Sequence, residues 1–387
     1  MVDRDIDRKI KSVYLDYAAT TPTRPEVVAA MTPYFFDFSG NPSSRHSYGH
    51  KSKESMLGAH AKVAGIIGCA PDEIIFTGSG TEADNCVIKG VADAAETKGR
   101  HLITSAIEHH AVLRCCKYLA ERGYQITYLP VDSYGMVDPD EVRKAITRET
   151  ILISIMYANN EVGTLQPISE ISEIARSAGV LFHSDGVQAL GHMPVNIEKI
   201  GVDFFSMSAH KFYGPKGVGA CYIRRNSLFT PLLHGGGQER GLRSSTPNVP
   251  GVAGFSKALE LVIDELDEGT RHLNSLRKRL LDGLQNSVDD LHINGHGTKA
   301  VPHIINIRVN GVDNDALIDA LDKEGIYISK GAACGSAYTE PSHVLLAMGL
   351  SAEQALNSVR FSLGKWNTEE EIDYVLDVLP GIISKLR

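Results

Sequence analysis

The chain has 387 residues, with 39 Lys and Arg against 47 Asp and Glu and a formal net charge of −8. That length exceeds one ordinary core and predicts two domains, and the acidic balance argues against a generic surface for nucleic acid or anionic membrane. Hydrophobic residues make up 43% and charged residues 22%, as in a globular enzyme, and no apolar run approaches the ~20 residues of a membrane span.

Residues 1–11 are charged throughout and lack the apolar core of a signal peptide, so a cytoplasmic location is expected. Six cysteines in a chain this long do not suggest a disulfide framework. Cys69, Cys86, Cys115, Cys116 and Cys221 sit in apolar or amphipathic surroundings and read as small core residues.

A strand-like run at 12–16 precedes a helix over about 25–36, a polar turn cluster around Asn41, and a long helix over about 49–68. Such a polar cluster is either a connector or the rim of a site. A buried-looking strand at 73–77 then runs into Gly78-Ser79-Gly80-Thr81 and another helix. Small residues between a strand and a helix N-terminus leave free N–H groups and form an anion site. The same residues formally fit a dinucleotide fingerprint, but no clear strand ending in an acid follows about twenty residues on. A phosphate cradle and a merely tight turn both remain open.

The next strand, 101–106, leads to Glu108-His109-His110. Ionisable groups at the carboxyl end of an α/β strand lie where ligands bind. Neighbouring residues rarely share one ion, so no metal is expected there; one histidine is expected in a cleft and the other at the surface. Strands at 150–157, 180–183 and 202–207 end in Asn159-Asn160-Glu161, Asp185-Gly186-Val187-Gln188 and Ser208-Ala209-His210-Lys211. Singly, Asp185 reads as a helix cap and Gln188 as a surface residue. Their recurrence at successive strand ends points to a mostly parallel sheet with one functional edge. Lys211 closes an apolar strand and precedes a Gly214-Pro215 turn; a lysine held in a cleft can lose its proton and form a Schiff base.

A long irregular stretch, 232–249, contains Thr246, and loops of this length tend to be functional. A helical segment over about 251–288, broken near 267–269, leads to a second α+β unit. That unit shows strands at 304–309, 326–329 and 358–362, the last carrying Arg360, with Gly331-Ala332-Ala333-Cys334 between them. The expected division is a large domain at 17–262 and a small one at 263–387 together with 1–16.

Lys211, the Gly80–Thr81 turn, Asp185 and a cleft histidine are the set pyridoxal phosphate requires: an amine for the aldehyde, a helix N-terminus for the phosphate and an acid for the pyridine nitrogen. Over nearly its whole length the chain resembles the group I cysteine desulfurases of the NifS/IscS family, which are fold-type I pyridoxal phosphate enzymes. The resemblance is carried by Ser208-Ala209-His210-Lys211-Phe212-Tyr213-Gly214-Pro215, by His234-Gly235-Gly236-Gly237-Gln238-Glu239-Arg240-Gly241, and by Gly331 to Cys334 with Glu340-Pro341-Ser342-His343.

It implies an α/β fold with a large, mostly parallel-sheet domain and a smaller α+β C-terminal domain. It implies that Lys211 holds the cofactor and moves protons at the substrate Cα, that Asp185 pairs with the ring nitrogen, and that Gln188 bonds the ring hydroxyl. Asn160 would orient the ring, and His109 would stack on its face and act in acid–base steps. Gly80, Thr81, Ser208 and His210 would hold the phosphate, with Thr246 reaching in from the second subunit of a homodimer. Arg360 would clamp the substrate carboxylate, a task suited to a guanidinium, and Asn41 would line the same pocket.

In the same resemblance Cys334 is the nucleophile, taking sulfur from L-cysteine as a persulfide and releasing alanine. The acceptor would be an iron–sulfur scaffold protein, a tRNA-thiolation partner or both, and Cys334 is a candidate cluster ligand at a scaffold interface. Lys330 and Gly335 depart from the serine and threonine common in relatives, which bears on loop behaviour and acceptor choice. Competing readings are an aminotransferase or selenocysteine lyase, a docking protein that passes sulfur between partners, and a nicotinamide enzyme resting on Gly78 and Gly80 alone. No resident metal, direct nucleic-acid contact or membrane contact is expected.

Overall fold

The computed structural model describes residues 12–331 and 340–387, so Cys334 and Gly335 lie outside the described residues. Its short β-branched and aromatic runs form twelve strands among those residues: β1 (Val13–Tyr14), β2 (Ile74–Thr77), β3 (His101–Ser105), β4 (Gln125–Leu129), β5 (Thr150–Ser154), β6 (Leu181–Asp185), β7 (Phe204–Ser208), β8 (Gly219–Ile223), β9 (Leu291–Asn294), β10 (Ile304–Val309), β11 (Ile326–Tyr327) and β12 (Ser358–Ser362). Seven of them make one sheet in the order β2-β8-β7-β6-β5-β3-β4. Six run the same way, and β8 is antiparallel to both its neighbours.

Alternation along these strands separates two cores, as the two-residue period of a strand requires. Phe76, Ile153 and Phe205 point to one face, where they meet Val63, Ile67, Ile171 and Phe255 from helices Ser47–Ile67, Ile168–Ala178 and Val249–Asp264. Ile75, Leu152 and Phe204 point to the other, against Val87, Val91, Val112 and Leu119 of helices Gly80–Ala94 and His110–Ala120. With both faces covered, the carboxyl ends of β2, β3, β5, β6 and β7 open together at one edge.

The remaining strands build a second layer. β12, β10 and β9 pair antiparallel, and β1 pairs with β11 in parallel. Helices Leu266–Ser287 and Glu369–Leu386 cover them with Leu276, Leu280, Leu284, Val375, Leu379 and Ile383, and Val13 and Leu15 join the same core. The second helix starts on a capping box in which Thr368 accepts from the Glu371 N–H and Glu371 accepts from the Thr368 N–H. The chain therefore returns its N-terminal strand to the layer built by its C-terminal third.

Several boundaries differ from the sequence reading. The first helix stops at Met31 and tightens into a 3₁₀ turn over Thr32–Tyr34, because Pro33 cannot donate to a continuing α-helix. The long C-terminal helical stretch breaks at Glu265 rather than near Gly269, which lies inside the second helix where nothing crowds it. Cys69 is only partly covered, whereas Cys86, Cys115, Cys116 and Cys221 are buried.

One glycine decides whether the sheet can pack. A Cβ on Gly186 would lie 1.8 Å from Phe205 Cζ, inside a fully covered core. Gly186→Ala is expected to lower stability by roughly 1–3 kcal/mol or more, as overpacking does. Thermal unfolding checks this, and Phe205→Leu in the same chain should recover part of the loss; an unchanged Tm would contradict the packing.

Candidate active site

At the open sheet edge lies a cavity of about 200 Å³. Ten of the residues predicted from sequence line it: Gly80, Thr81, His109, Asn160, Asp185, Gln188, Ser208, His210, Lys211 and Arg360. β7 ends at Ser208, and a 3₁₀ turn over Ala209–Lys211 swings the lysine inward. Its Nζ donates to the carbonyls of Ala18 at 2.6 Å and Ala19 at 2.9 Å. An amine partly withdrawn from water needs such acceptors.

The turn after β2 supplies a cradle. Ser79 caps helix Gly80–Ala94 by accepting from the Glu82 N–H at 3.1 Å, and its carbonyl accepts from Ala83 N. The Gly80 and Thr81 N–H groups ahead of them have no intrahelical partner, and both residues line the cavity. A Cβ on Gly80 would stand 2.8 Å from Val187 Cγ2 and 3.3 Å from Ser208 Cβ, so only glycine leaves that space open. Asp185, the last residue of β6, is held through Oδ1 by the Val187 N–H at 2.9 Å.

Arg360 projects from β12 and is 1% exposed. Its Nη1 donates to the carbonyls of Asn160 at 2.7 Å and Gly331 at 3.0 Å, and Nη2 donates to Asp16 Oδ1 at 2.8 Å. Its Nε is buried without an acceptor among the described residues. Gly331, three residues before Cys334 in the sequence, also lines the cavity. Lys330, beside it, pairs its ammonium with Asp315 at 2.5 Å.

Residues 13–375 match the family described as aminotransferase class-V. The chain belongs to that family. Among class-V relatives, the chain is similar to the cysteine desulfurase IscS of Dictyoglomus turgidum, 50% identical over 97% of this chain and 96% of that protein. It is equally similar to the cysteine desulfurase IscS of Methanosarcina thermophila, 50% identical over 99% of this chain and 95% of that one. A solved NifS-like protein superposes with a TM-score of 0.91 at 41% identity, covering 97% of this chain and all 100% of that one. The structure of SspA in complex with cysteine gives 0.82 at 34%, covering 92% and 99%.

Two predicted residues of this class-V chain stand elsewhere. Asn41 is exposed and turned onto its own loop, accepting from the Ser43 N–H at 2.9 Å. Thr246 is exposed beside a separate cavity of about 130 Å³. The expected split between the two adjacent histidines is also corrected: both line the cavity, because His109 caps helix His110–Ala120 and His110 packs its ring 4.7 Å from that of His343. Sequence reasoning missed Asp84, a buried carboxyl in the cavity wall whose Oδ1 has no hydrogen-bond partner among the described residues and stands 3.7 Å from His183 Nε2. Its signal was available: it interrupts the apolar face of Ala83, Val87, Ile88 and Val91 one turn after the phosphate-type loop.

Burial sets the electrostatics. It holds His109 down to about 4, with the Lys211 ammonium adding to the effect, and His210 down to about 4 for the same reasons. His109 is therefore neutral, and since Nδ1 accepts from the Ala111 N–H at 3.1 Å, its proton sits on Nε2. Burial raises Asp185 to about 6 against the pull of the Val187 N–H and Lys211. It raises Asp84 well above the carboxylate range, aided by the charge of Asp185; two such carboxyls do not both ionise freely.

Burial also pushes Glu108 up to about 8, although its Oε1 accepts from Ser105 Oγ at 2.6 Å and the Met156 N–H at 2.9 Å. The folded chain then holds a proton that the unfolded chain gives up near 4.5, so this contribution to stability is full below about 4.5 and falls as pH climbs toward 8. Glu108→Gln cannot ionise and should lose that slope, gaining on the native chain by a few kcal/mol as pH rises through this window. Urea unfolding at a series of pH values checks it; identical slopes for both chains would contradict the assignment.

Proposed function

We infer that the chain is a pyridoxal phosphate-dependent cysteine desulfurase, which converts L-cysteine to L-alanine and places the released sulfur on Cys334 as a persulfide. The observation that carries the reading is the meeting of Lys211, the buried Asp185 and the Gly80–Thr81 helix start in one cavity whose wall includes Arg360 and Gly331. The two IscS relatives at 50% identity over nearly the whole chain support it. The residues fit the cofactor: an amine faces the cavity, a buried carboxyl stands across from it, and the Gly80 space, which a Cβ would fill, is open beside free helix N–H groups.

When bound, pyridoxal phosphate supplies a conjugated ring that takes up the electron pair released at the substrate's Cα. Lys211 would provide the amine that holds the aldehyde and would move a proton at that Cα. Asp185 would accept the ring N–H, Gln188 would bond the ring oxygen and Asn160 would orient the ring. Gly80, Thr81, Ser208 and His210 hold the phosphate. His109, neutral and protonated on Nε2, would face the ring and could donate that proton in acid–base steps. Arg360 binds the substrate carboxylate.

The Cys334 thiolate attacks the substrate's Sγ, the Cβ–Sγ bond breaks, and a proton fills the place of sulfur on Cβ. Thiol and cysteine thus become persulfide and alanine with no external oxidant or reductant. The exposed position of Thr246 supports its reaching the phosphate of a second subunit, which makes a homodimer part of this reading. The sulfur passes to iron–sulfur cluster assembly, tRNA thiolation or both, in the cytoplasm; among the described residues no helix is long and apolar enough to cross a membrane. We also place the domain division at 17–262 and at 263–387 with 1–16, supported by the packing of Val13 and Leu15 with Leu276 and Leu280.

Mass spectrometry of the protein treated with L-cysteine is expected to find one additional sulfur atom on the peptide that carries Cys334. Cys334→Ala should cut alanine formation by about 10³-fold or more. Full turnover in that variant, or alanine formed without any persulfide, would overturn the assignment.

A further inference from the structure

Gln188 is approached from behind the cavity by a pair of buried imidazoles. His192 and His303 lie ring on ring, with centroids 3.6 Å apart and planes within 19° of parallel. His192 Nε2 is 3.1 Å from the Lys211 carbonyl oxygen, and His303 Nε2 is 3.3 Å from Gln188 Oε1. Neither ring lines the cavity itself.

The partners decide where the protons are. The Ala18 carbonyl can only accept, so the Gln188 atom 2.9 Å from it is the amide nitrogen. Gln188 Oε1 therefore faces His303, and His303 Nε2 must carry a hydrogen. The Lys211 carbonyl makes His192 Nε2 a donor by the same rule. Both rings are neutral: burial holds His192 down to about 4 and His303 well below its ordinary range, with the cationic Arg360, Lys211 and Arg277 and the adjoining His192 adding to the effect on His303.

The contacts close a circuit from the Lys211 carbonyl through His192, His303, Gln188 and the Ala18 carbonyl to the Lys211 Nζ, which is 2.6 Å from that same oxygen. One Gln188 N–H bonds Ala18; the other has no acceptor among the described residues, on a side chain that lines the cavity. Turning the amide over would set its oxygen against Ala18 O and leave the His303 N–H buried without a partner, and each change costs a hydrogen bond.

We propose that His303, braced by its stack on His192, is a positioning residue that fixes the Gln188 amide so that an N–H rather than the oxygen faces the ring oxygen of the bound cofactor. The proposal rests on the reading that Gln188 meets that oxygen. A donor at this point stabilises the oxygen as an anion and weakens its hold on a shared proton.

The test uses the holoenzyme without substrate and reads the pH midpoint of the cofactor's visible absorption change. His303→Phe keeps a ring for the stack but has no donor, and His303→Leu is smaller, so at least one should load with cofactor. Each is expected to raise the midpoint by about 1 pH unit, the scale of one hydrogen bond to a charged group. His303→Gln, whose amide nitrogen stands where Nε2 stood, should bring it back to within a few tenths of a unit of the native protein. Gln188→Leu tests the underlying reading: if the midpoint does not move, Gln188 does not meet the ring oxygen. If Gln188→Leu raises the midpoint while the Phe and Leu variants of His303 leave it in place, or if His303→Gln shifts as far as they do, the positioning role is overturned.

Discussion

The site depends on how one half-buried ammonium is satisfied. Lys211 leaves the end of β7 and is met by two backbone carbonyls, Ala18 and Ala19, that belong to the far end of the chain. The same short segment holds the rest of the cavity: Asp16 takes the Arg360 guanidinium, the Ala18 N–H donates to Ser362 Oγ at 2.9 Å, and Ala18 O accepts from Gln188. Residues 16–19 thus tie the edge of the seven-stranded sheet to the small sheet that carries Arg360. The lysine meets these two carbonyls only when residues 16–19 are seated between the two layers, so this part of the cavity is a consequence of the fold.

The electrostatics follow from that enclosure. The cavity gathers the half-buried Lys211 and the buried Arg360 with the buried carboxyls of Asp84, Asp185 and Glu161. In such a medium a charge is tolerated only with a partner, and unpaired groups give up their ionisation. The histidines around the cavity are neutral for this reason, and so serve as hydrogen-bond donors and acceptors rather than as fixed charges. What remains cationic is Lys211 and Arg360, the groups proposed to meet the cofactor's aldehyde and the substrate's carboxylate.

Much of this was legible in the sequence because each strand of a parallel sheet ends at the same edge. Polar residues closing apolar runs, such as Asp185, Ser208 and Lys211, could be assigned to one site without knowing the strand order. Strand β8 was not legible: Gly219 starts it because a Cβ there would meet the Ser79 backbone at 2.5 Å, and a Gly-rich run carries no strand signal. Edge strand β4 mixes exposed and covered residues and has no clean alternation. The Ala18 and Ala19 carbonyls were invisible for a deeper reason, since main-chain acceptors leave no trace in residue type. His192 and His303 are 111 residues apart in sequence, and only the packing of the small sheet on the large one brings their rings together.

Every proposed step passes through Lys211 as the residue that would carry the cofactor. Borohydride reduction of the pyridoxal phosphate-loaded protein, followed by proteolysis and peptide mass spectrometry, tests it most directly. The reduced pyridoxyl group is expected on Lys211 alone, and Lys211→Ala is expected to lose both label and visible colour. A label on any other lysine of the native protein, or a coloured Lys211→Ala that retains its label, would contradict it.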